Sequence, residues 1–329
     1  MPIRVATVRA ADIPSSQTDF PIYVDLGRVG ATALTLADAQ SSRWYTDTDL
    51  VTQMAREIVS LTEGHGKYAS LTSTSKIAID YDGIRADYAV TDTYGRNAVW
   101  TGYLAVFHVN SDNTDSTGNG SPSTVGTVTY GSSFGKIGHG GDTPGSGTNY
   151  ISTGASYSTG NTQKAFSIWF NSDDVAGLRW VLAGGTDAGD RAYGLFTYLS
   201  ELYFHGNGPS ADYIFTTALS NDTWYHAVCS YDGVNANRCY INGALNGTKT
   251  RALDTGSSTI RIGERQDTVR PWNGSFDEIK IVNGAQLSAN WVTTEYNNQN
   301  AEATFWGTWA DVGGGPAAQT ARLGVVMMM

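Results

Sequence analysis

The segment Thr223–Gly243, TWYHAVCSYDGVNANRCYING, most constrains what this chain can fold into. Two sets of side chains alternate along Trp224–Cys229, which is the period-2 pattern of a half-buried β-strand. A stretch rich in Asp, Gly and Asn follows, and these residues tolerate positive φ or bond their own backbone. Arg238–Ile241 then reads as a return strand. The segment therefore predicts a β-hairpin.

The composition favours a chain built largely from such strands. Of 329 residues, 38 are glycine and only 16% are charged, whereas a helical bundle would need more Ala, Leu, Glu and Lys. Short strand patterns recur with turn residues between them, as in β-sandwiches. The length suffices for two domains, each with its own core. We predict an all-β protein of two tandem β-sandwiches.

The residues around the hairpin follow a recognisable order. This order resembles the late strands of laminin-G-like domains, which have the concanavalin-A-like jelly-roll fold. The aromatic-rich strand and Asp/Gly loop of Gly102–Gly120 are similar to the first strand of that family, so the resemblance covers about residues 102–305. The residues that carry it are Trp224, His226, Tyr231, Asp232, Gly233, Tyr240, Asn242, Gly243, Ile262, Gly263, Trp272, Gly274, Asp277 and Glu278.

The upstream residues resemble a second, uncharacterised β-sandwich domain. That domain is common before laminin-G-like domains in phage and bacterial surface proteins. Arg43, Tyr45, Asp47 and Glu57 keep its pattern, although Ser41-Ser42 replaces the usual Asp-Ile. The spacing within Thr52–Thr62 fits a helix or a strand, and its strand-rich surroundings favour a strand. We predict domains at 1–100 and 101–308, followed by a glycine linker and arm at 309–329.

Charge and hydropathy exclude some partners. The net charge of −10 and pI of about 4.8 disfavour nucleic acid. The first residues lack the apolar core of a signal peptide, and no apolar run has the roughly 18–20 residues that span a bilayer. We expect synthesis in a bacterial host cytoplasm without membrane insertion.

The two cysteines, Cys229 and Cys239, lie on opposite strands of the predicted hairpin. They face each other if the turn is centred near Val234. A cross-strand disulfide then requires a non-hydrogen-bonded pair with Cα atoms within about 7 Å. Two reduced cysteines are the alternative, because the chain is expected to be made in a cytoplasm. Both states stay open at this point.

The sequence contains no catalytic constellation that we recognise. Retaining glycosidases need two carboxylates about 5–5.5 Å apart, but Asp277 and Glu278 are adjacent and would point to opposite faces of a strand. No nucleophile elbow or zinc motif occurs. We interpret His226 as a strand residue that holds a hydrogen bond. The chain is predicted not to be an enzyme.

Two sets of residues are candidates for binding. Asp112, Asn113 and Asp115 form an oxygen-rich loop, and the resembling sandwiches often bind calcium through such loops; solvated turn residues are the alternative. Glycan binding would use exposed aromatic residues beside polar groups, although aromatics of a sandwich are more often core. The glycan candidates, chosen near strand ends or turns, are Trp180, Tyr198, Tyr203 and Trp272.

The last residues form an apolar segment after a Gly-Gly-Gly-Pro linker. An exposed apolar segment is a liability in water, so it would add a strand to a partner or enter its groove. A disordered tail is the alternative. The predicted docking residues are Leu323, Val325, Val326, Met327, Met328 and Met329.

These resemblances together imply a bacteriophage virion structural protein. It would be a capsid decoration or tail-fibre component that displays the laminin-G-like domain to host-surface glycans. Its partners would be other virion proteins and further copies of itself. A bacterial cell-surface adhesin and a glycan-degrading enzyme are the alternatives.

Overall fold

A computed structural model describes residues 3–30, 34–208, 210–266 and 270–312. Within them, no helix is long and apolar enough to cross a membrane. The helices are α1 (Leu36–Ser41), α2 (Arg96–Val99), α3 (Ala289–Asn300) and α4 (Glu302–Phe305). The strands are β1 (Ile3–Thr7), β2 (Gln17–Val24), β3 (Arg43–Tyr45), β4 (Gln53–Met54), β5 (Arg56–Ser60), β6 (Glu63–Leu71), β7 (Lys76–Asp80), β8 (Tyr103–Phe107), β9 (Ser123–Val125), β10 (Thr129–Gly131), β11 (Gly140–Pro144), β12 (Tyr150–Ser156), β13 (Lys164–Ser172), β14 (Arg179–Gly185), β15 (Ala192–Tyr198), β16 (Glu201–His205), β17 (Tyr213–Ile214), β18 (Trp224–Tyr231), β19 (Ala236–Ile241), β20 (Ala244–Thr250), β21 (Thr259–Ile262), β22 (Asn273–Asn283) and β23 (Ala310–Asp311).

The chain divides into two compact units. Of the described residues, the first unit contains those up to Val99 and 297–312, and the second contains those within Trp100–Tyr296. Strands dominate both units, which confirms the predicted all-β class.

The first unit is a sandwich of two antiparallel sheets. A five-stranded sheet has the order β23-β1-β7-β3-β4, and a three-stranded sheet has the order β2-β6-β5. The sheets approach so closely that a Cβ atom at Gly66 of β6 would lie 2.8 Å from the ring of Trp44 on β3. The ambiguous segment near residue 54 is extended, as predicted, because Met54 and Arg56 alternate with Ala55 and are both buried.

Residues 297–312 return to the first unit. Strand β23 pairs with β1, and the indole nitrogen of Trp306 donates to the carbonyl of Tyr23 at 3.2 Å. The sequence predicts that residues 297–308 belong to the second domain, whereas the folded chain packs them in the first unit. Its position depends on pairing between residues about 300 apart, which leaves no local pattern. Of the predicted linker and arm at 309–329, residues 309–312 are described and include β23, whereas residues 313–329, with the predicted docking residues, lie outside the described residues.

The second unit is a larger sandwich. One sheet has the order β10-β11-β22-β13-β18-β19-β20 with β8 also on β22, and the other has the order β17-β16-β15-β14-β21-β12-β9. Alternate residues of both sheets, such as Phe166, Ile168, Leu195 and Phe204, are fully buried in one core. This confirms the predicted pair of tandem β-sandwiches.

The hairpin that opened the sequence analysis is β18 and β19. Its register places Cys229 opposite Cys239, with both side chains in the core. Their Sγ atoms are 3.7 Å apart and form no disulfide. The facing positions were predicted correctly, and the structure has the reduced alternative.

Candidate functional site

The seven-stranded sheet carries aromatic residues on both faces. On its inner face, Val181, Leu195 and Phe204 join the core. Because side chains alternate along a strand, the intervening residues lie on the outer face. There Trp180 and Phe196 form a separate buried cluster, with Tyr203 packed against it.

These outer residues form a continuous line, which we call the aromatic row: Tyr198, Tyr203, Phe196, Trp180 and His205. Neighbouring ring centroids are 6.5, 4.7, 4.8 and 4.7 Å apart along it. The exposed fraction is 3% for Trp180, 8% for Phe196 and 40% for Tyr198. The row is therefore closed at the Trp180 end and open at the Tyr198–Tyr203 end.

Polar groups border the row. The Tyr203 hydroxyl donates to Glu201 Oε2 at 2.7 Å, and partial burial together with this carboxylate raises the pKa of Tyr203 to about 12. At the closed end, the Arg265 guanidinium lies 4.9 Å from the Trp180 ring centroid and pairs with Asp187 at 3.1 Å. An apolar platform with hydrogen-bonding groups at its margin can bind a ligand that has apolar and hydroxylated faces.

Two of the four glycan candidates are wrong as direct contacts. Trp272 is fully buried, packs edge-on against Phe170, and donates its indole N–H to the Ser275 carbonyl. Trp180 is covered by Arg265 and forms the closed end of the row. The sequence also missed Phe196, because its surroundings look the same as those of a core residue. Tyr198 and Tyr203 are the two candidates that the fold brings together at the surface.

A strained turn holds Tyr198 in place. Leu199 and Ser200 have φ values of 52° and 63° between the paired residues Tyr198 and Glu201. Two central residues at positive φ make a type I′ turn, which normally contains Asn and Gly. The amides of Leu199 and Ser200 donate to the carbonyls of residues 176 and 175, which fixes the turn. The turn keeps these strained φ values because the two hydrogen bonds hold its backbone in this conformation.

Replacing Leu199-Ser200 with Asn-Gly should stabilise the second unit by about 1–2 kcal/mol. The new residues adopt positive φ at little cost, whereas L-residues with bulky side chains pay about this much. Little packing is lost, since Leu199 is 63% exposed. Urea unfolding measures the effect, and Val234→Asn in the exposed turn before β19 is a control for surface substitution. A lower midpoint in the double variant would contradict the strain argument.

In the predicted calcium loop, backbone amides donate hydrogen bonds to Asp115 and Asp112. Asp115 is 4% exposed and accepts bonds from the amides of Val106, Thr117 and Gly120. Asp112 accepts from the Thr114 amide within its own turn. Asp115 therefore shapes this loop, and calcium binding by Asp112, Asn113 and Asp115 stays a prediction.

The carboxylates of β22 are buried and form hydrogen bonds and ion pairs within the second unit. Glu278 lies at a bulge with φ of 49°, and Asp277 Oδ2 accepts from the amides of Lys136 and Ile137 at 2.9 and 2.8 Å. The ammonium of Lys280 lies 2.8 Å from Glu278 and 3.1 Å from Glu295. These side chains are at most 5% exposed, so a sugar cannot reach them.

A serine, a histidine and a glutamate also meet beside this ion cluster. Ser167 Oγ lies 2.8 Å from His226 Nε2, which confirms the predicted hydrogen-bonding role of His226, and 3.1 Å from Glu295 Oε2. In a catalytic triad the acid binds the other ring nitrogen and orients the base. Here Glu295 approaches the same nitrogen at 3.7 Å, and Nδ1 has no partner among the described residues. The arrangement is a buried structural network.

Comparisons with known proteins agree with the fold. The family model of the concanavalin A-like lectin/glucanases superfamily (Laminin_G_3) matches residues 144–293. This confirms the predicted laminin-G-like, concanavalin-A-like domain in the second unit. A comparison with proteins of curated function gave no match.

Solved structures give weaker similarities. Domain 4 of AbnA, an extracellular arabinanase from Geobacillus stearothermophilus, in complex with arabinotriose, is 23% identical; the match covers 58% of this chain and 96% of that domain, with a TM-score of 0.48. The binding domain of Paraclostridial Mosquitocidal Protein 1 is 15% identical, with 60% and 52% covered and a TM-score of 0.48. The botulinum neurotoxin serotype G binding domain is 13% identical, with 59% and 50% covered and a TM-score of 0.46. The match spans about half of each toxin domain.

Proposed function

We propose that the second unit binds carbohydrate through the open end of the aromatic row and does not catalyse a reaction. The observation that carries this proposal is the pair Tyr198 and Tyr203, held on a buried base of Phe196 and Trp180 and bordered by Glu201. The apolar face of a sugar stacks on such rings while its hydroxyls bond the polar margin. The superfamily that matches this region groups lectins with glucanases, which supports sugar as the ligand class.

The carboxylates near the row support binding over hydrolysis. Glu201 accepts the Tyr203 hydroxyl, and Asp187 is engaged by Arg265 and by the Asn207 amide. A glycosidase needs one carboxyl group as acid and another as base or nucleophile, both facing the substrate. At the open end of the row, Glu201 is the carboxylate that is hydrogen-bonded to a ring of the row. Among the described residues, no second carboxylate is hydrogen-bonded to Tyr198 or Tyr203.

Replacing Tyr203 or Tyr198 with Ala should weaken glycan binding by about 10-fold each, because truncating an aromatic contact at a binding site costs at least about 1 kcal/mol. A panel of bacterial polysaccharides identifies a ligand, and isothermal titration then gives the affinities. Tyr150→Ala is the matched control, since Tyr150 is a partly exposed aromatic of the same sheet on β12.

Two results would overturn the proposal. One is equal affinity of the Tyr203→Ala and Tyr150→Ala variants for the identified glycan. The other is release of reducing sugar by the purified protein, which would mean that the domain is catalytic.

The setting in which this domain works stays a prediction. Placement in a phage virion, with virion proteins and further copies as partners, is supported by the resemblance of the first domain and by the apolar terminal residues. A bacterial surface adhesin remains the alternative. Glycan binding by the aromatic row is proposed for either setting.

A further inference from the structure

A separate cavity of about 520 Å³ lies in the second unit, between the hairpin of β19 and β20 and the start of α3. It belongs to the eight-stranded sheet, whereas the aromatic row lies on the seven-stranded sheet. Arg238 and Tyr240 line it from one strand, and Ser288 and Ala289 line it from the residue before α3 and the first residue of α3. No site predicted from the sequence includes this cavity.

Tyr240 contributes a donor that has no acceptor. Its side chain is 1% exposed, and its hydroxyl has no hydrogen-bond partner among the described residues. Burial raises the pKa of Tyr240, so the hydroxyl keeps its proton at neutral pH. Buried polar groups nearly always have partners, and an exception at a cavity wall points to a missing acceptor.

Arg238 adds a positive charge on the same face of β19, two residues before Tyr240. Its side chain makes a long hydrogen bond of 3.3 Å from Nη1 to the amide oxygen of Gln286. A guanidinium has five N–H donors in a planar fork, so most of its donors have no acceptor in the described structure. This fork matches the two oxygens of a carboxylate.

The start of α3 supplies a third positive element. The helix has 12 residues and no acidic residue in its first turn. Ser288 caps it by accepting the Trp291 amide at 3.1 Å. The amino-terminal end of a helix carries partial positive charge and favours anions.

We propose that this cavity binds a carboxylate-bearing ligand. The Arg238 fork would hold the carboxylate, the Tyr240 hydroxyl would donate to it, and the helix start would stabilise its charge. Leu245, which is 54% exposed, and Leu287 would contact the carbon skeleton. A uronic acid within a polysaccharide and a free small carboxylate offer the same group. This site does not depend on glycan binding by the aromatic row.

The test is a titration of the full chain with galacturonate, acetate and galactose, followed by NMR or calorimetry. We expect galacturonate and acetate to bind and galactose not to bind at this site. Tighter binding of galacturonate than of acetate identifies a sugar acid as the source, whereas equal binding identifies a free small carboxylate. Arg238→Gln should lower the affinity for galacturonate by about 10-fold or more, because losing hydrogen bonds between charged groups reduces binding by about this factor.

Tyr240→Phe separates binding from folding. It should weaken galacturonate binding by about 5-fold without lowering the melting temperature, because the lost hydroxyl has no partner in the unliganded protein. Arg251→Gln, which changes the net charge equally at an arginine paired with Asp190, is the control. Unchanged galacturonate binding in Arg238→Gln, or equal binding of galactose and galacturonate, would overturn the proposal.

Discussion

Replacing Lys280 with Met should destabilise the second unit by about 3–5 kcal/mol, the range for breaking a buried ion pair on one side. Lys280 is 2% exposed and is the shared cation of Glu278 and Glu295. Burial alone would lower the pKa of Lys280, but the two carboxylates outweigh it and raise that pKa above its ordinary value. Without the ammonium, two carboxylates remain buried beside each other.

Guanidinium unfolding monitored by tryptophan fluorescence measures the loss. The double variant Lys280→Met/Glu295→Gln is the matched control and should recover part of the stability, since one uncompensated charge is removed. The loss in Lys280→Met should also shrink as the pH falls, because protonation of either carboxyl relieves the repulsion. A single variant as stable as the wild type would show that the ion cluster adds no net stability.

Acid should destabilise the second unit between about pH 6.5 and pH 4 through His226. Burial lowers the pKa of His226 to about 4 from its ordinary 6.5, and this outweighs the opposing attraction of Glu295. The unfolded chain therefore takes up a proton as the pH falls through 6.5, whereas the folded chain resists until about pH 4. The contribution is fully present above pH 6.5, and its loss over this window reaches about 3 kcal/mol at most.

His226→Gln provides the comparison, because it keeps a polar group beside Ser167 and cannot titrate in this range. Urea unfolding of both proteins from pH 7 to pH 4 measures the difference between their unfolding free energies at each pH. The contributions of carboxyl groups that titrate in the same range are common to both proteins and cancel in this difference. The wild type should lose more stability than the variant. Parallel curves would mean that His226 does not govern acid sensitivity.

The local pattern of the sequence determined the strands. Alternation along Trp224–Cys229 and the Asp/Asn-rich turn predicted β18 and β19 with Cys229 opposite Cys239, because a strand's period of two fixes which side chains share a face. The segment near Met54 was predicted as a strand for the same reason. The family resemblance located the jelly roll, and the structure and the family model both confirm it.

Tertiary structure decided which aromatic residues are exposed. The sequence could not tell that Trp272 fills the core, that Trp180 lies beneath Arg265, or that Phe196 links Trp180 to the exposed Tyr203. Exposure of a strand residue depends on which sheet face is covered and by what. That is settled by packing between segments far apart in the chain, and it leaves no local trace.

The proposed carboxylate site depends on both levels of information in the same way. The alternation of β19 places Arg238 and Tyr240 on the same face of the strand. Only the folded structure shows that they lie beside the start of α3. The sequence by itself determined the class of fold and the opening hairpin, because periodicity and turn chemistry are local, and the family resemblance indicated the tandem sandwiches. Only the tertiary structure decided the sites and where the chain returns to its first unit, because those depend on contacts between distant residues.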